Sequence, residues 1–132
     1  MIVDTSALVA VIAQEADAAI YEQALGEADL VRVSAGTWLE TGIVVDGRRD
    51  PVLSRRLQDL VRVSRARIEV VTEEQAQIAR AAYRDFGRGS GHPAKLNFGD
   101  CFAYALARDT GEPLLYKGDD FAHTDVRSAV PR

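Results

Sequence analysis

Four acidic side chains lie where carboxylates could gather around a metal ion. Asp4 directly follows the first apolar run of the chain, and Asp119 comes shortly after the last one, Leu114–Tyr116. Glu40 and Asp100 each interrupt a mostly apolar helical pattern. A buried carboxylate is costly unless it takes up a proton, forms an ion pair or ligates a metal. Four converging acids therefore favour a divalent metal site.

Each of these acids also has an ordinary structural explanation. Aspartate is common at helix N-termini, where it accepts hydrogen bonds from free backbone N–H groups, so Asp4 and Asp100 could each act only as a cap. Glu40 lies beyond the first turn of its helix, where a lone glutamate often points to solvent or pairs with a basic neighbour. Asp119 could be a turn residue. The metal site depends on a fold that brings the four acids together.

The elements that would position the acids alternate between strand and helix. Apolar runs predict strands, and helical patterns fill the segments between them. The predicted strands are Met1–Val3, Leu30–Val33, Ile68–Val71 and Leu114–Tyr116. The predicted helices are 7–13, 17–25, 35–45, one that begins at Pro51, 72–86 and 98–108. Strands that are apolar throughout predict an α/β fold, a parallel β-sheet with helices on both faces, and ligands bind at the carboxyl edge of such sheets.

The composition is that of one globular domain spanning residues 1–132. The chain has 47% hydrophobic and 27% charged residues, enough to bury one core. No apolar run approaches the roughly 20 residues of a membrane span, and no export signal is recognisable, so we expect a cytoplasmic protein without membrane contact. Cys101 is the only cysteine, which excludes an intrachain disulfide and a zinc site built on paired cysteines.

Charge is negative overall but locally basic. The net charge of -4 argues against binding nucleic acid by bulk electrostatics. The segment from Arg48 to Arg67 nevertheless holds seven arginines against two acids. Guanidinium groups bind phosphate bidentately, although a solvated helix face explains the same pattern at least equally well. The candidate contacts to nucleic-acid phosphates are Arg48, Arg49, Arg55 and Arg56.

Taken together, these residues give the chain a resemblance to a known family. It resembles the PIN-domain ribonuclease toxins of the VapC type, which belong to bacterial toxin–antitoxin pairs. The likeness covers nearly the whole chain and rests on four motifs in the same order. They are Met-Ile-Val-Asp-Thr-Ser-Ala-Leu at 1–8, Glu40 in the helix after the second strand, Asn-Phe-Gly-Asp-Cys-Phe-Ala-Tyr-Ala-Leu-Ala at 97–107, and Gly-Asp-Asp-Phe-Ala-His-Thr-Asp at 118–125.

The resemblance implies a role for each matching residue. Asp4, Glu40 and Asp100 are the three core acids. Asp4 and Asp100 are the direct metal ligands, and Glu40 is a supporting or water-held partner. Thr5 or Ser6 supports the metal site.

The fourth acid would come from the motif that begins at Gly118. Asp119 is our selection, and Asp120 and Asp125 are the alternatives because family members vary there. The resemblance further implies an RNA substrate cut to leave a 5′-phosphate and a 3′-hydroxyl, a homodimer, and an antitoxin protein that obstructs the acidic cleft, with an arginine among the carboxylates as one means. The RNA target is not readable, because specificity would depend on loop shape, notably at 87–95.

The expected cofactor is Mg²⁺ or Mn²⁺, since a site with only oxygen ligands suits these hard ions and suits zinc poorly. One or two such ions would activate or orient water and neutralise charge on the phosphorus oxygens during hydrolysis. His92 and His123 are the only histidines, and we expect both at the surface, so a metal-free two-histidine mechanism lacks support. Cys101 is expected in the core.

Two other classes of protein remain as alternatives. An aspartyl-nucleophile phosphatase also places an aspartate after its first strand, but it needs a second one two residues later, where this chain has Ser6. A non-catalytic α/β module could use the acids only to hold a metal. Nucleotide-binding folds lose support because the chain has neither a Walker loop nor a dinucleotide-binding glycine pattern.

Overall fold

The computed structural model describes residues 1–131, so Arg132, the last residue of the predicted domain, lies outside the described part. Strands and helices follow one another in the predicted order. The strands are β1 (Ile2–Val3), β2 (Arg32–Ser34), β3 (Arg67–Glu69) and β4 (Leu114–Leu115). The helices are α1 (Thr5–Ile12), α2 (Ala18–Glu27), α3 (Ala35–Gly47), α4 (Pro51–Ser64), α5 (Glu73–Phe86), α6 (Phe98–Thr110) and a 3-10 helix, Phe121–His123.

The strands form one parallel sheet in the order β3-β2-β1-β4. Ile2 pairs with Arg32 on one side and with Leu114 on the other, so β2, β1 and β4 are in step. Their carboxyl ends therefore meet at one edge, where Asp4 follows β1. This is the α/β fold expected from the sequence.

Helices cover both faces of the sheet. Val3 and Leu115 pack into one apolar cluster with residues of α1, α2 and α4. Ile2 and Leu114, their neighbours along the strands, pack into a second cluster with α5 and α6. All four side chains are fully buried. In residues 1–131 we find no helix whose length and hydrophobicity would suffice to cross a bilayer.

The third strand differs from its prediction. It spans Arg67–Glu69 rather than Ile68–Val71, and its side chains are not buried as those of β1 are. Ile68 is 40% exposed and Val70, beyond the strand, is 72% exposed. β3 lies at one edge of the sheet, beside β2. β4 lies at the other edge and is fully buried, so the edge position alone does not explain the exposure of β3. The β-branched residues predicted a strand there, but neither its bounds nor its burial.

Three helices begin near the carboxyl edge of the sheet, and polar caps fix where they start. The Asp4 side chain caps α1, and the Ser34 side chain caps α3. α6 begins with a capping box, in which Asn97 and Asp100 each accept a hydrogen bond from the backbone N–H of the other. The helix starts thus bring parts of the first and third motifs to the same edge.

Candidate active site

Asp4 is a cap and also carries an oxygen that the cap does not use. Its side chain is deeply buried at the end of β1. Oδ2 accepts hydrogen bonds from the backbone N–H of Ser6 at 3.0 Å and from the Ser6 hydroxyl at 2.6 Å. Oδ1 is buried and has no hydrogen-bond partner among residues 1–131. A buried oxygen without a donor is costly, so the structure leaves a position for an external partner such as a cation.

Asp100 combines the same two features in the first turn of α6. Its Oδ2 accepts the backbone N–H of Asn97 at 3.0 Å, which completes the capping box. The side chain is nevertheless close enough to Asp4, Glu40 and Asp120 for their charges to act on it. The capping explanation is therefore correct for Asp100 but does not account for the acids gathered around it.

Glu40 turns inward, toward the end of β1, instead of to solvent. Its Oε1 accepts a hydrogen bond from the Thr5 hydroxyl at 2.5 Å, and the Thr41 hydroxyl lies 3.0 Å from the Thr5 oxygen. The carboxylate lies against Gly99 of α6, where a Cβ would overlap Glu40 Oε2. Thr5 thus holds Glu40 in place, and Gly99 provides the space for it.

Gly99 was not selected from the sequence as a functional residue. A signal was present, because a glycine in the first turn of an otherwise regular helix is unfavourable relative to alanine and usually has a packing reason. Only the packing of α3 against α6 shows that the reason is the Glu40 carboxylate.

The loop after β4 is tied to Asp4 through Ser6. The Ser6 hydroxyl donates to Asp4 and accepts the backbone N–H of Lys117 at 3.0 Å. The Lys117 ammonium group pairs with Glu15 at 3.3 Å and with Asp17 at 2.9 Å. These contacts fix the start of the Gly118 motif beside the first strand.

The three aspartates of that motif have different surroundings. Asp125 accepts a hydrogen bond from the Tyr104 hydroxyl at 2.7 Å and pairs with Arg108 at 3.3 Å, so it is directed at the second half of α6. Asp119 and Asp120 are both exposed, and the charge of Asp120 contributes to the raised pKa of Asp100. The structure therefore supplies an electrostatic link to the site for Asp120, and the selection of Asp119 stays a prediction.

Burial and repulsion between neighbouring carboxylates raise the pKa values of two of the acids. Burial is the main cause that raises the pKa of Asp4 to about 6, and the charge of Glu40 adds to it, whereas the Ser6 hydrogen bonds act in the opposite direction. The pKa of Asp100 rises to about 7, again chiefly through burial, with added repulsion from Asp4, Asp120 and Glu40. A bound cation would remove this repulsion.

The arrangement fits an ion that keeps part of its water shell. Among residues 1–131, no three His, Cys, Asp or Glu side chains stand close enough to ligate one ion together. Magnesium is usually held by one or two carboxylates, with water and substrate oxygens completing its shell. Asp4 and Asp100 could supply the direct ligands, and Glu40 could act through water.

The structure gives positions for the four arginines predicted to contact nucleic acid, which are Arg48, Arg49, Arg55 and Arg56. The first two follow the C-terminal end of α3, eight residues beyond Glu40, which is about 12 Å along the helix axis. The other two lie on α4, and Arg56 donates to the carbonyl of Ile12 at 3.2 Å, at the end of α1 opposite to Asp4. These helix ends point away from the acids.

The histidines differ from one another. His123 is exposed, as expected, but His92 is half-buried. The His92 ring packs edge-to-face on Phe86 with a centroid distance of 4.9 Å, and its Nδ1 accepts the backbone N–H of Ala94 at 3.1 Å.

The expectation that Cys101 is a core residue is confirmed, since it is buried and burial raises the pKa of its thiol to about 11.

Comparison with known proteins gives the family. The PIN-domain family model matches residues 1–127. Over 132 residues the chain is 60% identical to ribonuclease VapC28 of Mycobacterium tuberculosis, an alignment that covers 100% of this chain and 99% of that protein.

Two solved structures share the fold. The crystal structure of Mycobacterium tuberculosis VapC20, a toxin that cleaves the sarcin-ricin loop, superposes with a TM-score of 0.76 at 20% identity over 98% of both chains. A toxin–antitoxin complex from Klebsiella pneumoniae gives a TM-score of 0.67 at 20% identity, over 92% of this chain and 89% of that one. The family match and the 60% identity decide the assignment, and the chain belongs to the PIN-domain family and, within it, to the VapC ribonucleases.

Proposed function

We propose that this chain is an endoribonuclease that depends on Mg²⁺ or Mn²⁺ and acts as the toxin of a toxin–antitoxin pair. The observation that carries the proposal is the buried Oδ1 of Asp4, which has no hydrogen-bond partner among residues 1–131 and belongs to a carboxylate repelled by Glu40. Membership of the PIN-domain family supports the same reading. It also leaves the phosphatase alternative without support, since Ser6 rather than a second aspartate follows Asp4.

The chain's own residues divide the work of phosphodiester hydrolysis. Asp4 and Asp100 bind the cation through the oxygens that their caps leave available. A divalent ion held there supplies charge neutralisation at the phosphate and lowers the pKa of water. Glu40 uses Oε1 to accept the Thr5 hydroxyl, so its Oε2 can orient the attacking water and accept its proton. We infer products with a 5′-phosphate and a 3′-hydroxyl.

A cleavage assay with matched aspartate variants tests the proposal. The purified chain is incubated with end-labelled structured RNA in Mg²⁺, in Mn²⁺ or in EDTA. We expect cleavage only with metal, and a loss of at least about 100-fold in Asp4→Asn and Asp100→Asn, because each removes a charge that the cation requires. Asp59→Asn is the control, since Asp59 is exposed on α4, where it pairs with Arg62.

The outcome also separates an enzyme from a module that only holds metal. If the chain binds Mg²⁺ but cleaves no RNA under any condition, the non-catalytic alternative is correct. Cleavage in EDTA, or cleavage by Asp4→Asn at the parent rate, would overturn the metal-dependent site.

The fourth acid is decided by comparing neighbouring variants. We propose that Asp119 is the fourth acid, with Asp120, whose charge acts on Asp100, and Asp125 as the alternatives. Asp119→Asn should then lower kcat more than Asp120→Asn or Asp125→Asn. A larger effect from either of the other two variants would assign the role to that residue instead.

We further propose an antitoxin that presents an arginine to the acidic cluster. Asp4 and Asp100 have raised pKa values, and a guanidinium group would stabilise their ionised forms as a metal ion would. A small protein that copurifies with the chain from its own cells should suppress RNA cleavage and should compete with Mg²⁺ in a thermal-shift titration. Inhibition that is unaffected by Mg²⁺ concentration would place the antitoxin elsewhere.

A homodimer is proposed through the groove between α5 and α6. The groove has a volume of about 470 Å³ and its lining is mostly apolar, and Phe98 at its rim is 78% exposed. Exposed apolar surface of this kind is typical of an interface. Light scattering should give twice the chain mass, and Phe98→Ser should shift it toward the monomer. An unchanged dimer in Phe98→Ser would exclude this groove.

A cytoplasmic location is likewise proposed, testable by fractionation of expressing cells.

A further inference from the structure

The segment between α5 and α6 is a fixed loop beside the acidic cluster. Its two ends are pinned by a bridge between Gly87 and Leu96, with hydrogen bonds from Arg88 N to Leu96 O at 3.0 Å and from Leu96 N to Phe86 O at 2.9 Å. Inside the loop, the Ser90 hydroxyl donates to the Gly87 carbonyl at 2.6 Å. The loop therefore presents its side chains from a defined backbone.

This loop lines a cleft together with one of the acids. The cleft has a volume of about 530 Å³, and its lining includes the basic side chains of Arg88 and Lys95, His92, and Asp120. Asp120 is also near enough to Asp100 for its charge to act there. Asp120 therefore lines the basic cleft and also lies close to the acidic cluster.

The His92 side chain is oriented so that its Nε2–H can donate a hydrogen bond. Because Nδ1 accepts the backbone N–H of Ala94, the neutral ring carries its proton on Nε2. The edge-to-face contact with Phe86 fixes the orientation of the ring. His92 can therefore donate without being charged.

Among residues 1–131, the two cations of the cleft have no acidic partner. Within residues 1–131, neither Arg88 nor Lys95 forms an ion pair, whereas Lys117 pairs with two acids and Arg108 with one. Lys95 lies between the fully buried Ala94 and Leu96, so its side chain is forced outward. Its backbone is in the left-handed region at φ +50, which is unfavourable for a residue with a side chain. Strain of this kind is often found at functional positions.

We propose that Arg88, His92 and Lys95 form a subsite for a backbone phosphate of the RNA strand next to the phosphate that is cleaved. Guanidinium, ammonium and imidazole N–H groups are all donors to phosphate oxygens, and the chain has a net charge of -4, so a local contact of this kind is needed to bring RNA to an acidic site. The inference rests on the proposed ribonuclease function. The subsite shares a cleft with Asp120, whereas Arg56 of α4 bonds to Ile12 at the end of α1 opposite to Asp4.

Steady-state kinetics with RNA distinguish this subsite from a general surface effect. The double variant Arg88→Gln, Lys95→Gln keeps the size and the backbone strain of both residues but removes both charges. We expect its KM to rise about tenfold or more with kcat within about twofold, because it loses ground-state binding rather than a contact to the reacting group. The slope of log kcat/KM against log salt should become shallower by about 1.4, or about 0.7 for each charge. The control Arg62→Gln, which removes an exposed charge on α4, should change neither quantity.

His92 is tested by a substitution that keeps the loop intact. In His92→Asn the side-chain oxygen can still accept the Ala94 N–H, but the Nε2 donor is gone. We expect an increase in KM with an unchanged circular dichroism spectrum. If Arg88→Gln, Lys95→Gln destabilises the loop, the single variant Arg88→Gln decides, with an expected slope change of about 0.7.

Failure of the subsite and failure of the ribonuclease function give different results. Binding of a 5′-fluorescein-labelled 20-nucleotide RNA is measured by anisotropy in the Asp100→Asn background, where no cleavage occurs. Parent cleavage together with unchanged KM, affinity and salt slope in the charge variants would overturn the subsite. An absence of cleavage by the parent chain, together with weaker RNA binding in the charge variants, would overturn the enzyme and keep the subsite.

Discussion

Replacing Asp4 with asparagine should stabilise the metal-free protein at pH 8. Asp4 is ionised at that pH although it is only 3% exposed, and its Oδ1 has no hydrogen-bond partner among residues 1–131. Asparagine removes the charge and keeps a side-chain oxygen that can accept the two Ser6 hydrogen bonds. The same substitution should remove the stabilisation that Mg²⁺ provides.

The size of the effect follows from the pKa of Asp4. Folding raises this pKa from 3.8 to about 6, which corresponds to about 3 kcal/mol lost from the free energy of unfolding once the group is ionised in both states. The loss is complete above pH 6, diminishes as the pH falls from 6 to 3.8, and is absent below 3.8, because both states then carry the proton. The asparagine NH₂ group would itself be buried without an acceptor, which offsets about 1 to 2 kcal/mol. We therefore expect Asp4→Asn to gain about 1 to 2 kcal/mol at pH 8 and to be less stable than the parent by about 0.5 to 1.5 kcal/mol at pH 4, where the cost of the buried amide remains and the charge is almost gone in both states.

Urea unfolding followed by tryptophan fluorescence measures this difference. Trp38 is the only tryptophan and packs against the core, so its emission reports on unfolding. In EDTA at pH 8 the variant should unfold at higher urea than the parent. In Mg²⁺ at about 100 times its dissociation constant the parent should gain about 2.7 kcal/mol and the variant much less, which reverses the order. Asp59→Asn, at an exposed site, should stay within about 0.5 kcal/mol of the parent under all conditions.

Two results would refute the reasoning. If Asp4→Asn were less stable than the parent by the same amount at pH 8 and at pH 4, the carboxylate would not be an uncompensated charge in the folded state. If Mg²⁺ stabilised parent and variant equally, Asp4 would not be a ligand.

The remaining predictions concern the neighbours of Asp4 and the effect of pH. Gly99→Ala should lower kcat about as much as Glu40→Gln, because its Cβ would displace the Glu40 carboxylate, whereas Gly42→Ala, which meets open space, should leave kcat unchanged. Equal rates for both alanine variants would show that the position of Glu40 is unimportant. Ser6→Ala should lose about 1 to 2 kcal/mol of stability in urea and about 10-fold or more in activity, because two hydrogen bonds to Asp4 and its neighbouring loop disappear, and Ser6→Thr should restore both. Affinity for Mg²⁺, measured by thermal shift, should increase from pH 6 to pH 8, because the core aspartates, with pKa values of about 6 and about 7, must lose protons to bind; a flat profile would contradict the raised pKa values.

The sequence by itself determined the order of elements and much of the site. Apolar runs and helical periodicity predicted β1, β2, β4 and the helices between them, because these patterns reflect local geometry and burial. Asp4 directly follows β1, so its place at the carboxyl edge of the sheet could be predicted from chain position alone, and Asp100 could be placed near the start of α6. The four motifs that carry the family resemblance could likewise be read from the sequence, because each is a short local pattern.

Only the tertiary structure decided how side chains from different elements meet. The position of the Glu40 carboxylate against Gly99 depends on how α3 packs on α6, which no local sequence pattern specifies. The turn at Gly118, with φ +95, and the 3-10 helix after it bring Asp120 close enough for its charge to act on Asp100, whereas the choice of the fourth acid among three nearby aspartates stays a prediction. The exposure of β3 is also a tertiary outcome, since β4 at the opposite edge of the sheet is fully buried. Sequence patterns encode local conformation, whereas the direction of a side chain and the partners it meets are set by packing between distant segments.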